Sequence, residues 1–199
     1  MSPYSHHMDL KNMLEQLHIN ETVTLIALSM GGRVAINFSL AYPEKTHALI
    51  LADVAVDGFA FHDFKLDHIY ETGKTKTIEI ANRLWLDHEL FESARRNITV
   101  TERLREMVMF YSGWHWVNKN PMQALTPPAI QQLDRIRTPA LIITGEMDIA
   151  EFQEIAIILH KAIRQSVKKV IRGVGHMCNM EDPNSFNTVV SDFLNSLKK

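Results

Sequence analysis

The sequence predicts an α/β fold built on a short, mainly parallel sheet of about four strands, with flanking helices and a helical insertion. Two observations lead to this prediction. Short apolar runs alternate with segments whose apolar residues recur at helical spacing, which is typical of parallel strands joined by crossover helices. The first run breaks at a serine and two glycines and continues as a helix, which is the order of a sharp strand–turn–helix connection.

Each element has its own signal in the sequence. The strands are apolar almost throughout, as expected for parallel strands covered on both faces, and the helices are amphipathic. Pro43 ends the helix that follows the first strand. The predicted strands are 23–28, 48–52, 140–144 and 167–171, and the predicted helices of the core are 8–18, 30–42, 149–163 and 186–197.

Between the second and third strands the sequence changes character. Aromatic and charged residues mix, helical periods dominate, and all 3 tryptophans of the chain fall in this stretch. We therefore predict two units: an α/β core formed by residues 1–53 and 138–199, and a helical cap inserted at 54–137.

The composition argues against several classes of function. With 199 residues, of which 46% are hydrophobic, the chain is long enough for one well-buried domain. A formal charge of -2 without a basic block argues against nucleic-acid and membrane-surface partners. No apolar run reaches the length of a membrane span, and the first residues lack the order of a secretory signal. Cys178 is the only cysteine, which excludes an intrachain disulfide and leads us to expect a reducing, cytoplasmic location.

Ser29 is the candidate nucleophile. It stands between an apolar run and a helix, where a strained turn can hold a serine hydroxyl above the carboxyl edge of a parallel sheet. Ala27 and Gly31 supply small residues on both sides, where we expect the strand and the helix to cross closely. The alternative is a serine in an ordinary strand-to-helix loop.

Two other strand ends carry the partners that a serine nucleophile needs. The third strand leads into Asp148, and the fourth leads into a glycine-rich loop that ends at His176. Functional groups gather beyond the carboxyl ends of parallel strands, and the order Ser, Asp, His fits a serine activated by a base that an acid orients. Glu146 and Asp53 are rival acids, and Asp148 could instead cap the following helix.

Two further chemistries have weaker signals. Cys178 lacks a glycine-flanked turn of its own, which argues against a cysteine nucleophile. Gly31 and Gly32 lack the G-x-G-x-x-G spacing and the G-K-[ST] continuation of phosphate-binding loops. We therefore expect neither a nucleotide nor a metal at this site.

Five motifs are spread over most of the chain. They are A-L-S-M-G-G at 27–32, A-Y-P-E-K at 41–45, L-I-L-A-D at 49–53, T-P-A-L-I-I-T-G-E-M-D at 138–148 and G-V-G-H-M-C-N-M-E-D-P at 173–183. Together they resemble the α/β-hydrolase family of serine hydrolases, especially small esterase- and lactonase-like members with a helical cap. The resemblance implies catalysis on a small-molecule substrate without a cofactor. It also implies that Ser29 is the nucleophile, His176 the base and Asp148 the acid.

The same resemblance implies how a substrate is held. The backbone N–H of Met30, the residue after the nucleophile, would donate to the oxyanion. The cap would supply the walls of the pocket, for which the aromatic candidates are Trp85, Tyr111, Trp114 and Trp116. For each ring the alternative is packing within the cap.

The chain departs from the family at its front. Family members normally carry several strands and a helix before the segment that matches the start of this chain, including the loop that gives a second oxyanion donor. The chain therefore resembles a truncated α/β hydrolase. We expect strand 23–28 to become an edge of the sheet, and we expect a two-fold dimer to cover that edge.

These inferences predict a serine hydrolase that acts on a small carboxylic ester, lactone or amide through an acyl-enzyme on Ser29. The alternative of a different class is a catalytically impaired remnant that folds by self-association. A cofactorless perhydrolase or a C–C bond hydrolase would use the same residues. The sequence does not name the substrate.

Overall fold

A parallel sheet lies at the centre of the chain. The computed structural model describes residues 3–198. The strands are β1 (Val23–Leu28), β2 (Thr46–Ala52), β3 (Ala140–Gly145) and β4 (Ser166–Ile171). The helices are α1 (His6–Gln16), α2 (Met30–Ala41), α3 (Asp67–Thr75), α4 (Ile78–Leu86), α5 (Ile98–Phe110), α6 (Trp114–Val117), α7 (Ala150–Ala162), α8 (Cys178–Glu181) and α9 (Pro183–Ser196). The α/β fold class predicted from the sequence is confirmed.

The four strands pair in parallel in the order β1-β2-β3-β4. β2 and β3 lie in the middle and are buried almost throughout, which fits their continuous apolar sequences. β1 and β4 are the edges of the sheet in the part of the chain that the structure describes. β1 carries no charged residue and exposes 57% of Ile26, whereas β4 includes Lys168 and Lys169.

Successive residues of a strand face opposite sides of the sheet, so the apolar central strands contribute side chains to two cores, one on each face. Leu49 and Leu51 of β2 belong to a core that also contains residues of α2, α7 and the insertion. Ile50, between them, packs on the other face with Val190 and Phe193 of α9. The helices therefore cover both faces of the central strands, as the alternation of strands and helices predicts.

The segment between β2 and β3 is helical, as its sequence indicates. Ile69, Ala81 and Trp116 form a small core of their own in this segment, while Leu104 joins the core beneath β2. The single-turn helix α6 escapes prediction because four residues are too few to show a period. The division into a core and a cap stays a prediction. No helix between residues 3 and 198 combines the length and the hydropathy that a membrane crossing requires.

The carboxyl ends of the strands position the candidate site. All four strands run in one direction, so their ends lie along one edge of the sheet. The connections at this edge carry Ser29 after β1, Asp53 after β2, Asp148 after β3 and His176 after β4. The topology thus brings polar side chains from distant parts of the sequence toward one place.

Candidate active site

Ser29 occupies the sharp turn between β1 and α2. Its φ of 51° and ψ of -122° lie in a region that side-chain-bearing residues rarely adopt. Three backbone hydrogen bonds hold the turn: the Ser29 N–H donates to Ala52 O at 3.2 Å, and Ser29 O accepts from Gly32 N and Ala55 N, each at 3.0 Å. The side chain is half-buried beside a pocket. This geometry is that of a nucleophile elbow, in which the backbone presents the hydroxyl at the sheet edge.

The glycine that is closely packed at this turn is Gly32, whereas the sequence suggests Gly31. A Cβ added to Gly31 would lie 3.8 Å from the Ala27 Cβ, which is ordinary contact. A Cβ added to Gly32 would lie only 2.2 Å from the Val54 Cβ. The second glycine therefore permits the approach of α2 to the segment after β2, while Ala27 and Gly31 lie at normal separation.

Asp148 and His176 meet in the interior between the ends of β3 and β4. The Nδ1 of His176 lies 2.9 Å from Oδ2 of Asp148, and the two side chains are almost completely buried. The other oxygen of Asp148 accepts a hydrogen bond from Ile149 N at 2.8 Å. Ile149, and not Asp148, is the residue that caps α7, so the capping alternative for Asp148 is wrong.

The backbones of the two loops that carry this pair are in direct contact. A Cβ added to Gly145 would lie 2.2 Å from the carbonyl oxygen of Gly175. The N–H of Met147 donates to Val174 O at 2.8 Å. The separation of the carboxylate and the imidazole is thus fixed by main-chain contact between the loops.

Burial is the largest influence on the ionisation of this pair. It lowers the pKa of His176 to about 4, and it raises the pKa of Asp148 above its ordinary value. The imidazole is therefore uncharged at neutral pH, which is the form that can accept a proton.

The imidazole nitrogen that would serve the serine, Nε2, has no partner within residues 3–198. Nδ1 of His176 faces Asp148, and Nε2 is buried without a hydrogen bond among the described residues, so Ser29 Oγ is not bonded to it. Phe152 of α7 packs on the imidazole with 4.4 Å between ring centroids, and its ring also lines the pocket. Hydrogen bonds between a base and its nucleophile are often long before a substrate binds, so the missing bond does not exclude His176 as the base for Ser29.

Glu181 holds the loop on which His176 lies. Its Oε2 accepts hydrogen bonds from Gly175 N at 3.0 Å and from Ser93 Oγ at 2.6 Å, and its Oε1 accepts from Met177 N at 3.2 Å. The two backbone donors flank the histidine in the sequence. Ser93 belongs to the insertion, so a single carboxylate joins the insertion to the histidine loop.

The rival acids and the rival nucleophile occupy other positions. Glu146 accepts a hydrogen bond from Gly173 N at 2.9 Å, and Asp53 accepts one from Gly145 N at 2.9 Å. Neither carboxylate is hydrogen-bonded to the imidazole within residues 3–198. Cys178 is fully buried, and this burial raises the pKa of its thiol, which makes it a poor nucleophile.

A pocket of about 620 Å³ opens beside Ser29. Its walls are mainly apolar and aromatic, and they include Phe61, Phe64, Trp85, Tyr111, Trp116 and Phe152. Three of the four predicted aromatic walls are therefore present, but Trp114 is not among the residues that line the pocket. The indole of Trp116 donates to Asn82 Oδ1 at 2.7 Å, so this ring is both a wall of the pocket and part of the packing of the insertion.

Met30 lies where an oxyanion donor is needed. It is the first residue of α2 and lines the same pocket as Ser29. The first N–H groups of a helix have no intrahelical partner, and the positive end of the helix dipole favours negative charge there. The Met30 N–H is therefore suited to donate to an oxygen that becomes negative at this position.

Sequence reasoning missed one residue that packs on the imidazole, Phe152, and one that holds its loop, Glu181. Phe152 is four positions after Asp148, which places it on the first turn of the helix that follows the acid. Glu181 stands inside the motif that contains His176, but only the fold shows that its carboxylate turns back onto the loop. Helical spacing after Asp148 was the available signal for Phe152, whereas the sequence held none for the contact with Ser93.

Known proteins resemble the chain along most of its length. The sequence model of the family described as serine aminopeptidase, S33, matches residues 3–183. A Bacillus subtilis (strain 168) protein, provisionally named 2-succinyl-6-hydroxy-2,4-cyclohexadiene-1-carboxylate synthase, is 30% identical over 95% of this chain and 71% of its own length. The 2-hydroxy-6-oxononadienedioate/2-hydroxy-6-oxononatrienedioate hydrolase of Klebsiella pneumoniae is 26% identical over 93% of this chain and 66% of that protein. The chain thus spans about two thirds of the length of these curated relatives.

Solved structures agree on the fold. A thermophilic esterase from Thermogutta terrifontis superimposes with a TM-score of 0.82 at 22% identity, covering 100% of this chain and 75% of the esterase. A likeness at this identity concerns the fold alone, whereas the family match covers almost the whole sequence. The chain therefore belongs to the α/β-hydrolase family described as serine aminopeptidase, S33.

Proposed function

We propose that this chain is a serine hydrolase that acts on a small carboxylic ester, lactone or amide through an acyl-enzyme on Ser29. The proposal rests on one arrangement: a serine at a positive-φ turn, on the sheet edge where Asp148 and His176 are hydrogen-bonded to each other. Its members come from three different strand ends. A buried acid–base pair and a turn serine at the same sheet edge are what nucleophilic acyl transfer requires.

In the proposed reaction Ser29 Oγ attacks the carbonyl carbon while its proton passes to Nε2 of His176. The N–H of Met30 donates to the oxygen of the tetrahedral intermediate. His176 then gives the proton to the leaving alcohol or amine as the bond to the carbonyl carbon breaks. Water releases the acyl group by the same steps, with His176 again as base, while Asp148 orients the imidazole and stabilises its charged form.

The pocket favours an apolar acyl or alcohol group. Its lining is mainly aromatic and aliphatic and offers apolar contact area to such a group. Arg33 also lines the pocket, but its Nε donates to Oδ1 of Asp57 at 2.7 Å, and Asn37 donates to the other oxygen of Asp57 at 2.6 Å. Because the buried Asp57 balances the guanidinium charge, we propose an uncharged ester or lactone as the substrate class.

Two other activities use the same residues. The relatives named as synthase and as dienedioate hydrolase act on carbon skeletons that carry carboxylates, according to their names. C–C bond cleavage therefore remains the second chemistry to test on this chain. A catalytically impaired domain is the third candidate, and the observation that favours it is the absence of a hydrogen bond between Ser29 and Nε2 of His176.

Labelling with a fluorophosphonate, read by intact mass, tests the proposal. This probe phosphonylates a serine whose base and oxyanion donors are assembled, so we expect stoichiometric addition to the wild type and none to Ser29→Ala. Ser112→Ala, which removes an exposed serine of the insertion, is the matched control and should be labelled like the wild type. A folded wild type that stays unlabelled, or a Ser29→Ala variant that is labelled, would contradict the proposal.

We propose a cytoplasmic location because the one thiol, Cys178, is buried and unpaired.

A further inference from the structure

A second carboxylate lies next to the acid–base pair, and the proposed reaction does not use it. Asp53 follows β2 with a φ of 44°, and its side chain is buried, with 1% of the residue exposed. Its Oδ1 accepts the hydrogen bond from Gly145 N at 2.9 Å. Its Oδ2 is buried and has no partner among the described residues. A carboxylate oxygen in that position is costly unless it carries a proton or meets a donor.

The groups around Asp53 indicate which residue can be the hydrogen-bond partner of its Oδ2. Asp53 and Asp148 both bond to the backbone of Gly145, whose N–H donates to Asp53 Oδ1 at 2.9 Å and whose carbonyl oxygen accepts from Asp148 N at 3.2 Å. Burial and the nearby charge of Asp148 raise the pKa of Asp53, whereas Cys178 and His176 lower it. Glu181 adds negative charge on the side of Asp148 and His176. Two ionised carboxylates only repel each other, so a hydrogen bond between Asp53 and Asp148 requires that one of them keeps a proton.

The existing hydrogen bonds decide which carboxyl group holds that proton. Asp148 already accepts from Ile149 N and from Nδ1 of His176, and both bonds favour its ionised form. Within residues 3–198, Asp53 accepts only from Gly145 N, which leaves its second oxygen free to bear the proton. Burial and the charge of Asp148 raise the pKa of Asp53 to about 7, in agreement with a protonated group below neutral pH.

We propose that Asp53 is a positioning residue whose protonated carboxyl group donates a hydrogen bond to Asp148 and so holds the Asp148 carboxylate on His176. The inference rests on the proposed function for its effect on turnover, but the protonation itself does not depend on activity. The thiol of Cys178 also lowers the pKa of Asp53, as a weak hydrogen-bond donor. Because a thiol is a weak donor, it does not replace the proton on the carboxyl group.

Three substitutions separate this role from the alternatives. Asp53→Asn keeps an acceptor for Gly145 N and places an N–H₂ donor where the protonated oxygen lies. Asp53→Gly removes the side chain and still fits the φ of 44° without strain. Asp148→Asn removes the acid that contacts the imidazole. The variant Cys178→Ala is the control for the thiol contact.

The first measurement is the rate of fluorophosphonate labelling at pH 6. We expect Asp53→Asn and Cys178→Ala to react within about threefold of the wild type, because a neutral donor to Asp148 remains in each. Asp53→Gly should be slower by about tenfold or more, since a hydrogen bond to a charged group is lost. Asp148→Asn should lose on the order of 10³–10⁴-fold, as expected when the acid behind a catalytic histidine becomes an amide.

The pH profile gives a readout that a merely structural role would not move. Above a pH of about 7 the wild-type Asp53 ionises and stops donating, so its labelling rate should fall relative to that of Asp53→Asn as the pH rises toward 9. An Asp53→Asn variant as slow as Asp148→Asn would show that Asp53 acts as a second ionised acid. Equal rates for Asp53→Gly and the wild type would show that it does not position Asp148. Either result overturns the proposal.

Urea unfolding tests the proton without any activity. A folded-state pKa above the unfolded value of 3.8 means that the stabilisation is complete at low pH and is lost as the pH rises through about 7. The unfolding midpoint of Asp53→Asn should therefore rise relative to the wild type between pH 5 and pH 8. If the wild type is never labelled but the two unfolding midpoints diverge in this way, the proposed function is wrong and the protonation of Asp53 is still supported. Parallel midpoints at both pH values would refute the proton itself.

Discussion

The strained backbone of Ser29 is held in place by hydrogen bonds and by close packing of the surrounding residues. A non-glycine residue at such a φ costs on the order of 1–3 kcal/mol, and only surrounding structure sustains it. The three backbone hydrogen bonds of the turn supply part of that support. The remainder is steric: α2 can only pass close to the segment after β2 because Gly32 has no side chain.

This packing predicts different outcomes for two adjacent glycines. Gly32→Ala places a methyl group 2.2 Å from the Val54 Cβ and should destabilise the protein by roughly 1–3 kcal/mol, the usual cost of overpacking. Gly31→Ala meets only the Ala27 Cβ at 3.8 Å and should change stability by no more than about 1 kcal/mol, with helix propensity in its favour. Chemical denaturation of both variants measures the difference. Equal losses would mean that Gly32 is not the point of close approach.

For individual residues, the sequence predicts which side chains carry the chemistry better than it predicts which residues touch. The residue types and their order pointed to Ser29, Asp148 and His176, and the fold brings the last two into hydrogen-bonding distance. The sequence did not predict which glycine is sterically required or that Asp53 faces Asp148. Both depend on distances between loops that are far apart in the chain, and a motif does not encode such distances.

Among the elements, the loop that carries His176 depends most on a single side chain. Glu181 accepts from Gly175 N and Met177 N on either side of the base and from Ser93 Oγ in the insertion. The loop itself contains two glycines, Gly173 and Gly175, while its apolar residues Val174 and Met177 pack into the cores. The position of the base is therefore coupled, through one carboxylate, to a segment from another part of the fold.

Glu181→Gln should loosen the histidine loop while keeping its volume. The amide nitrogen cannot accept, so the bonds made by one carboxylate oxygen are lost and a buried donor is left unpaired, at a cost of about 1–3 kcal/mol. We expect a lower unfolding midpoint and slower fluorophosphonate labelling than in the wild type. Glu154→Gln, at an exposed position on α7, should stay within about 0.5 kcal/mol of the wild type. A Glu181→Gln variant that matches this control would contradict the assigned contact.

The regular elements were predicted well because their signal is local. β1 has the predicted bounds, and β2, β3 and β4 differ from prediction by two residues or fewer at their ends. Long amphipathic helices such as α7 and α9 were recognised by periodicity for the same reason. The insertion was harder to predict, since α6 and the short turns around it are fixed by contacts such as that of Trp116 with Asn82 and not by a repeating pattern.

Among the described residues, the outer side of β1 pairs with no other strand, so its backbone N–H and C=O groups need another partner. The opposite edge, β4, carries Lys168 and Lys169, and charged residues on an edge strand discourage further pairing. β1 has no such protection. We propose that a second copy covers it, because two identical edge strands can pair antiparallel about a two-fold axis and satisfy each other's backbone groups.

Sedimentation velocity at micromolar concentration tests this proposal. We expect a dimer for the wild type and a shift toward monomer for Ile26→Lys, which places a charge at the exposed centre of β1. Val167→Lys is the matched control, since Val167 lies on β4 with 46% of its surface exposed and should leave the dimer intact. A monodisperse wild-type monomer, or dissociation caused equally by both substitutions, would rule out pairing through β1.

The contact between Gly145 and Gly175 has a practical meaning for redesign. The loops that carry the acid and the base touch through their main chains, so substitutions of side chains cannot change the distance between Asp148 and His176 in small steps. Any residue larger than glycine at position 145 would push the two loops apart. The aromatic rings of the insertion are under no such restriction. Directed evolution toward new substrates should therefore hold both glycines constant and diversify Phe61, Trp85 and Tyr111, where substitutions reshape the pocket and leave the chemistry in place.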